Sequence, residues 1–480
     1  MRRPSPALLL LLLGLVAGGA LRLYLALTED GLYWPDEVHQ SLEPAHRLVW
    51  GYGLVAWEFA RGARSWALPG LVAGLFELAR ALHLPEPGGY LRLTRCAFAL
   101  AGTGCIAGAY ALARRLGAGA LAAASAALLL ALGAVPLYFS HRAMSENAAA
   151  LPLVAGLALA LPEGATRRQT LGGAALLALA TLLRLQCGLL CLGLLAVLLV
   201  RRRWARAAEA AAVLAVGALL YGLLDRLTWG SWFQSARVYL DFNLAGGAAR
   251  WGTSPFGYYL RVLLQAMPAV TLAGLGLALL AARRAPALWL LSAAFFLVHA
   301  LQPHKELRFL LPLFPLVAAL AGVGLEALLS QVQDPAAARA AAGALLAVGV
   351  LSAASAPQLR FGDLGAYEES RPRASAWDDA GPINRLLERA GHAPDLCGLK
   401  VEVAHLAWTG GYSYLHRPVP LYPHDGPPRG AGLYNYAITV PGAVGSDGGA
   451  QVLASDGPLV LVRLQRAGCV ADAHFSWRLD

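Results

Sequence analysis

Long apolar stretches alternate with short, arginine-bearing polar ones over the first three quarters of the chain, and many approach the length that crosses a hydrocarbon core of about 30 Å as a helix. They fall at residues 6–27, 92–113, 118–139, 147–161, 170–183, 186–200, 207–227, 257–281, 286–301, 308–329 and 339–357. The stretch 170–183 is the weakest, being short and divided from the next only by Arg184, Leu185 and Gln186. The pattern predicts a polytopic α-helical membrane protein of about eleven spans. The apolar run at the start resembles a signal peptide, but it continues to Leu27 with no clean cleavage site, so a retained first span is expected.

Cytoplasmic loops are the ones that carry Arg and Lys, which gives an internal test of the span count. With Arg2-Arg3 inside, the clusters Arg114-Arg115, Arg167-Arg168, Arg201-Arg202-Arg203 with Arg206, and Arg283-Arg284 all land on the same side. Merging the fifth and sixth stretches would scatter the later clusters. The non-cytoplasmic side then receives the long loop 28–91, the segments 141–147, 228–256 and 302–308, and everything after 357.

Beyond residue 357 the long apolar runs stop and Pro, Gly, Tyr and His rise. Short apolar stretches at 399–403 and 458–464 read as strands, predicting a small extramembrane domain of α/β or mostly β type. The expected division is therefore a transmembrane domain 1–357 with a large first outer loop 28–91, and a non-cytoplasmic domain 358–480.

Composition agrees: 58% of residues are hydrophobic and 14% charged, against about 25% charged in an average soluble domain. The net charge of +10 sits in arginine clusters between apolar runs rather than along one polar face, which argues for topology and against a nucleic-acid partner. Lys is nearly absent (Lys305 and Lys400), and the dominance of Ala, Leu, Gly and Arg favours a bacterial source. Cys96, Cys105, Cys187 and Cys191 lie in apolar segments as small hydrophobes, while Cys397 and Cys469 are free to pair if the tail faces an oxidising compartment.

Candidate chemistry is confined to the outer segments. Trp34-Pro35-Asp36-Glu37 follows the first span, with Glu43, His46, Trp57 and Glu58 after it. Adjacent carboxylates outside a membrane helix can supply a general base for a sugar hydroxyl, or be no more than a solvated loop pair. His304-Lys305-Glu306-Leu307-Arg308 lies between two spans, and Lys and Arg at such a boundary suit a phosphate. They also suit lipid headgroups, or structural pairing with Asp36, Glu37 or Glu146. Arg184 would cost about 2.5–3.5 kcal/mol facing lipid, so it needs a cavity, a partner or, as preferred here, a place at the interface. His141-Arg142 with Glu146-Asn147, and Asp225-Arg226, read as helix-end pairs. No spacing of Cys and His marks a metal site, and no phosphate loop or dinucleotide fingerprint is present. His405, His416 and His424 read as surface histidines.

The outer motifs together resemble one family, the membrane mannosyltransferases of glycosyltransferase family 22, which have the GT-C fold and include the group that adds the third mannose of glycosylphosphatidylinositol anchors. The resemblance is carried by the run from Pro35 to His46, Gly51 to Leu54, Trp57-Glu58, Arg64 to Gly70, Asp225-Arg226 with Trp229-Gly230, Asp241-Phe242-Asn243, and His304 to Phe309. It covers roughly residues 30 to 310, and departs from the family pattern at Leu307, where an acidic residue is usual.

The resemblance implies transfer of a sugar, mannose above all, from a polyprenyl-phosphate donor to a lipid-linked or membrane-presented glycan or glycolipid, with inversion; no cofactor is predicted. It assigns Asp36 as base with Glu37 as its partner, and His304, Lys305 and Arg308, assisted by Arg142, as donor-phosphate ligands. Glu43, His46, Trp57, Glu58, Asp241, Asn243 and Glu306 take acceptor-binding or structural roles. The site would face the periplasm in a bacterial inner membrane, or the lumen in an endoplasmic-reticulum membrane. A lipid or sugar transporter would share the helix count but should show repeated halves or paired broken helices with charges inside the spans. A non-catalytic scaffold would tolerate loss of Asp36. An oligosaccharide-to-protein transferase should carry a Trp-Trp-Asp signature, which is missing.

Overall fold

The computed structural model describes residues 5–332, 334–365, 373–444, 449–465 and 469–479, so the Arg2-Arg3 pair of the topology argument lies outside the described residues. Contacts divide the chain into two compact units: residues 1–26 with 96–374, and residues 27–95 with 375–480.

The first unit is helical. Among the described residues of the chain, five helices have the length and hydropathy to cross a membrane: Pro6–Thr28, Gly88–Arg115, Trp204–Trp229, Leu307–Val332 and Pro335–Gln358. Five shorter apolar helices, Ala120–Leu132, Ser145–Ala160, Leu185–Val200, Pro268–Leu280 and Pro286–Leu301, take further predicted spans, and 170–183 falls on the helix Arg167–Leu183. That last helix opens with a capping box, Thr166 and Gln169 each satisfying the other's backbone N–H. It packs on Ser145–Ala160 through glycine: a Cβ on Gly173 would lie 2.6 Å from both the Gly156 carbonyl oxygen and the Ala160 Cβ, so any larger residue would separate the backbones.

Two predicted spans are interrupted. The stretch 118–139 breaks at Gly133 into Ala120–Leu132 and Ala134–Phe139, and 257–281 breaks at Met267 and Pro268, a residue that cannot donate to the preceding turn. Inside an apolar layer the freed backbone groups need partners. Arg22, fully buried on the first helix, donates to the carbonyls of Leu130 (2.8 Å) and Ala131 (2.7 Å), while the Ser352 hydroxyl accepts from Ala134 N–H at 3.0 Å. At the second break the Thr271 hydroxyl donates to the Leu263 carbonyl at 2.9 Å.

The second unit carries a five-stranded sheet. Its strands are β1 (Leu399–Val401), β2 (Leu421–Tyr422), β3 (Tyr436–Thr439), β4 (Ala450–Asp456) and β5 (Leu459–Leu464), in the order β2-β1-β3-β5-β4. β1 runs parallel to β2 and β3, and β5 antiparallel to β3 and β4. Gly457, in the left-handed region at φ 52°, makes the tight turn from β4 to β5. The amphipathic helix Gly381–Gly391 packs on β3, β4 and β5. Tyr422, Tyr434, Ala437, Val460, Val462 and Leu464 form the core of the sheet. Cys397 and Cys469 are joined in a disulfide.

The first-loop residues of this unit fold as short helices: Pro35–Glu37, a π-helical turn Val38–Leu42, Glu43–Trp50, Trp57–Ala60 and Ala67–Ala81. Val55 forms a bridge with Arg478, which ties this stretch to the end of the chain.

Candidate functional site

In the second unit, proline at the first helical position starts the turn that carries Asp36 and Glu37, and a π-helical turn follows directly, an arrangement common at functional sites. The two carboxylates behave differently. Glu37 is buried and accepts from Tyr33 N–H at 3.1 Å, which fixes the entry to the turn. Asp36 is half-buried. Its electrostatic neighbour is Glu58: burial pushes the Glu58 carboxyl up to about 7, with the Asp36 charge adding to the rise and Arg64 opposing it. Gln40 donates to Glu58 at 2.9 Å. Trp57, half-buried, starts the short helix that carries Glu58.

Glu43 and His46 are fully buried and serve the scaffold of this unit. The Glu43 carboxylate accepts from the backbone N–H groups of Leu54 (2.8 Å), Tyr412 (3.0 Å) and Ser413 (2.9 Å) and from the Ser413 hydroxyl (3.1 Å). His46 lies with Nδ1 3.0 Å from the Tyr52 carbonyl and Nε2 3.1 Å from Nδ1 of His416. His416 is not the surface histidine expected: its other ring nitrogen meets Glu86 at 3.0 Å, and its ring packs edge-on against Trp50. Burial pushes His46 down to about 3, so it is neutral at any physiological pH.

In the first unit the basic motif folds around Phe309. Glu306 takes Arg308 in a two-pronged pair (Nε to Oε2 2.6 Å, Nη2 to Oε1 3.0 Å) and His304 at 3.1 Å. Burial favours the neutral acid, but Arg308 and His304 overcome it and hold the Glu306 carboxyl down at about 2. Burial would lower His304 in turn, and Glu306 outweighs it, so the imidazole is raised. Leu307, at the position where the family pattern is acidic, is fully buried. Lys305 donates to the carbonyls of Ser254 (2.7 Å) and Gln302 (2.5 Å). Its ammonium therefore already ties the 252–254 loop to the motif.

Glu146, in the first turn of Ser145–Ala160 where the helix dipole favours an anion, lies 2.6 Å from Arg184 and 3.6 Å from Arg308. Arg184, at the end of the helix Arg167–Leu183, is 4% exposed and has Glu146 as its partner. Arg142 is fully buried over the Tyr138 ring, 4.4 Å from its centroid, on a turn that Asn147 holds by donating to the Phe139 and Arg142 carbonyls. Asp225 is no helix-end partner of Arg226: it accepts from the N–H and hydroxyl of Ser235 and so fixes the start of Gln234–Leu244. On that helix Asp241 is exposed and Asn243 donates to the Tyr239 carbonyl.

The structure thus gathers His304, Glu306 and Arg308 with Glu146 and Arg184 in one unit, and Asp36 with Glu58 in the other. Among the described residues no group of three or more metal-ligating side chains is found.

Compared with known proteins, residues 15–357 match the model of the Alg9-like mannosyltransferase family. GPI mannosyltransferase 3 of Yarrowia lipolytica is 33% identical over 315 residues, 63% of this chain and 60% of that protein. Mannosyltransferase APTG1 of Arabidopsis thaliana is 29% identical over 325 residues, 63% of this chain and 56% of its own length. The matches thus span little more than half the length of these curated relatives. ArnT from Cupriavidus metallidurans bound to undecaprenyl phosphate aligns with a TM-score of 0.60 at 16% identity, covering 93% of this chain and 97% of that one. The Archaeoglobus fulgidus oligosaccharyltransferase aligns at 0.52 and 12% identity, covering 90% and 69%. The structural likeness is one of fold, the GT-C type.

Proposed function

The chain belongs to the Alg9-like mannosyltransferase family, and from that premise we propose that it is a membrane glycosyltransferase moving mannose from a polyprenyl-phosphate donor to a hydroxyl of a lipid-linked or membrane-presented glycan, with inversion. One observation carries this reading: Arg184, Arg308 and His304 are gathered around the carboxylates of Glu146 and Glu306 in one buried basic cluster, a setting that suits a phosphate.

In the reaction, Asp36 takes the proton of the acceptor hydroxyl as its oxygen bonds to the anomeric carbon. The bond from that carbon to the phosphate oxygen breaks on the opposite face, and the electron pair leaves with the polyprenyl phosphate. Positive charge already in place stabilises the phosphate as its charge grows, with no reorganisation at the moment of reaction. Glu58 is close enough to Asp36 for the Asp36 charge to raise it. The chemistry runs on the non-cytoplasmic face. The structural neighbour ArnT is bound to undecaprenyl phosphate, a polyprenyl phosphate like the lipid part of the donor proposed.

Interrupted helices of the kind a transporter uses to line a path are present at Gly133 and Met267, but Arg22, Ser352 and Thr271 satisfy backbone groups at these breaks. The transferase reading is tested with the purified chain in liposomes containing a membrane glycolipid extract, supplied in parallel with radiolabelled polyprenyl-phosphate-mannose and a nucleotide-mannose. Label should pass to a glycolipid from the first and not the second. Direct use of the nucleotide sugar alone overturns the donor assignment.

A further inference from the structure

Arg308 and Arg184 both reach Glu146, yet they are used in different ways. Arg308 spends its fork on Glu306, through Nε and Nη2. Arg184 uses a single nitrogen: Nη1 meets Glu146 at 2.6 Å and donates to the Ser145 hydroxyl at 3.2 Å. Its Nε and Nη2 are buried and make no hydrogen bond among the described residues. A guanidinium carries five N–H donors, and leaving buried ones unmet is costly. A purely structural pair would align as Arg308 does with Glu306.

The unmet side of the Arg184 guanidinium is held in a fixed place. Its side chain leaves the chain where Arg167–Leu183 ends, and the extended backbone at residue 184 still donates to the Ala180 carbonyl at 2.8 Å. The Phe309 ring lies 5.6 Å from the Arg184 guanidinium carbon and 5.2 Å from that of Arg308. A second unmet atom adjoins the same ring: His299 has Nδ1 2.8 Å from the Phe295 carbonyl, while Nε2 is buried with no partner among the described residues, its ring 6.4 Å from Phe309. A carbonyl only accepts, so in the neutral imidazole Nε2 is the bare, accepting nitrogen.

We propose that Arg184 is an anion-binding residue whose Nε and Nη2 donate as a fork to two oxygens of the donor phosphate, with Glu146 fixing the guanidinium through Nη1; this rests on the reading of the basic cluster as a phosphate site. Arg184 is then the open guanidinium of the pair and Arg308 the one already occupied. The neighbouring His299 nitrogen is placed to accept from a hydroxyl of the same ligand. The motif 304–308 alone does not reveal this, because Arg184 lies more than a hundred residues upstream inside an apolar stretch.

The test uses the full chain in detergent, with a short polyprenyl phosphate as probe and the matching polyprenol as its uncharged counterpart. Wild type should prefer the phosphate. Arg184→Lys keeps a positive charge beside Glu146 but removes the fork, and should cut that preference about tenfold or more, about 1.4 kcal/mol, while affinity for the alcohol is unchanged. The double variant E146Q/R184Q removes both buried charges together and carries the same expectation should the lysine variant fold poorly. If either variant melts normally and keeps the full preference, the assignment of Arg184 is overturned while the phosphate site stands. If wild type itself does not distinguish phosphate from alcohol, the phosphate reading fails and takes this inference with it.

Discussion

The two charged regions of the chain are built on opposite electrostatic terms. Around Asp36 carboxylates gather: burial and the Asp36 charge push Glu58 up to about 7 against the pull of Arg64, and Glu37 and Glu43 accept from backbone N–H donors. Around Phe309, Arg308 and His304 hold Glu306 down at about 2 while Glu306 raises His304. A positioned carboxylate can take a proton, and a basic cluster can seat a leaving phosphate. Each region has what the other lacks.

The sharpest way to separate the two is Asp36→Asn. Transfer should fall by about 10²- to 10⁴-fold, the usual contribution of a positioned base, with donor affinity unchanged. Arg308→Gln leaves Glu306 buried without its fork, and should cost about 3–5 kcal/mol of stability along with donor affinity, read by melting and by phosphate-lipid binding. Glu43→Gln puts an amide where four donors converge. It should lower stability by about 1–3 kcal/mol with no change in donor affinity, since Glu43 touches only scaffold in the second unit.

The pH response supplies the finest contrast. Glu58 binds its proton more tightly folded than unfolded, so its contribution to stability is present below the ordinary carboxyl range and is lost as pH rises from about 4.5 to about 7. Glu58→Gln should flatten the melting temperature across that window by a few degrees and make the chain more stable than wild type above it. His304 has the same sign for a different reason: its raised imidazole is charged at low pH, so donor affinity should weaken as pH rises through its titration, and His304→Gln should remove that trend.

Much of this was legible in the sequence, and the physical reasons differ by region. Every predicted apolar stretch lies on helix, since hydrophobic length in a membrane leaves the backbone few choices. The strands at 399 and 458 were visible from apolar runs between turn residues. The break at Gly133 was not, because Arg22 and Ser352 stabilise it from far away in sequence. Of the candidate site, Asp36 and the 304–308 motif stood out by composition. Sequence cannot show that two of the three N–H donors of Lys305 meet the Ser254 and Gln302 carbonyls. Glu58 gained its connection to Asp36, and Arg184 its connection to Glu146, only from chain folding. Likewise, no composition shift reveals that residues 27–95 group with 375–480 in one compact unit.

The most direct measurement is donor binding and single-turnover transfer on the same liposome preparations of wild type, Asp36→Asn and Arg308→Gln, with radiolabelled polyprenyl-phosphate-mannose. Asp36→Asn should bind the donor as wild type does and fail to transfer, while Arg308→Gln should lose binding first. Normal transfer by Asp36→Asn, or equal loss of donor binding in both variants, would contradict the division of labour between a proton-taking and a phosphate-holding region.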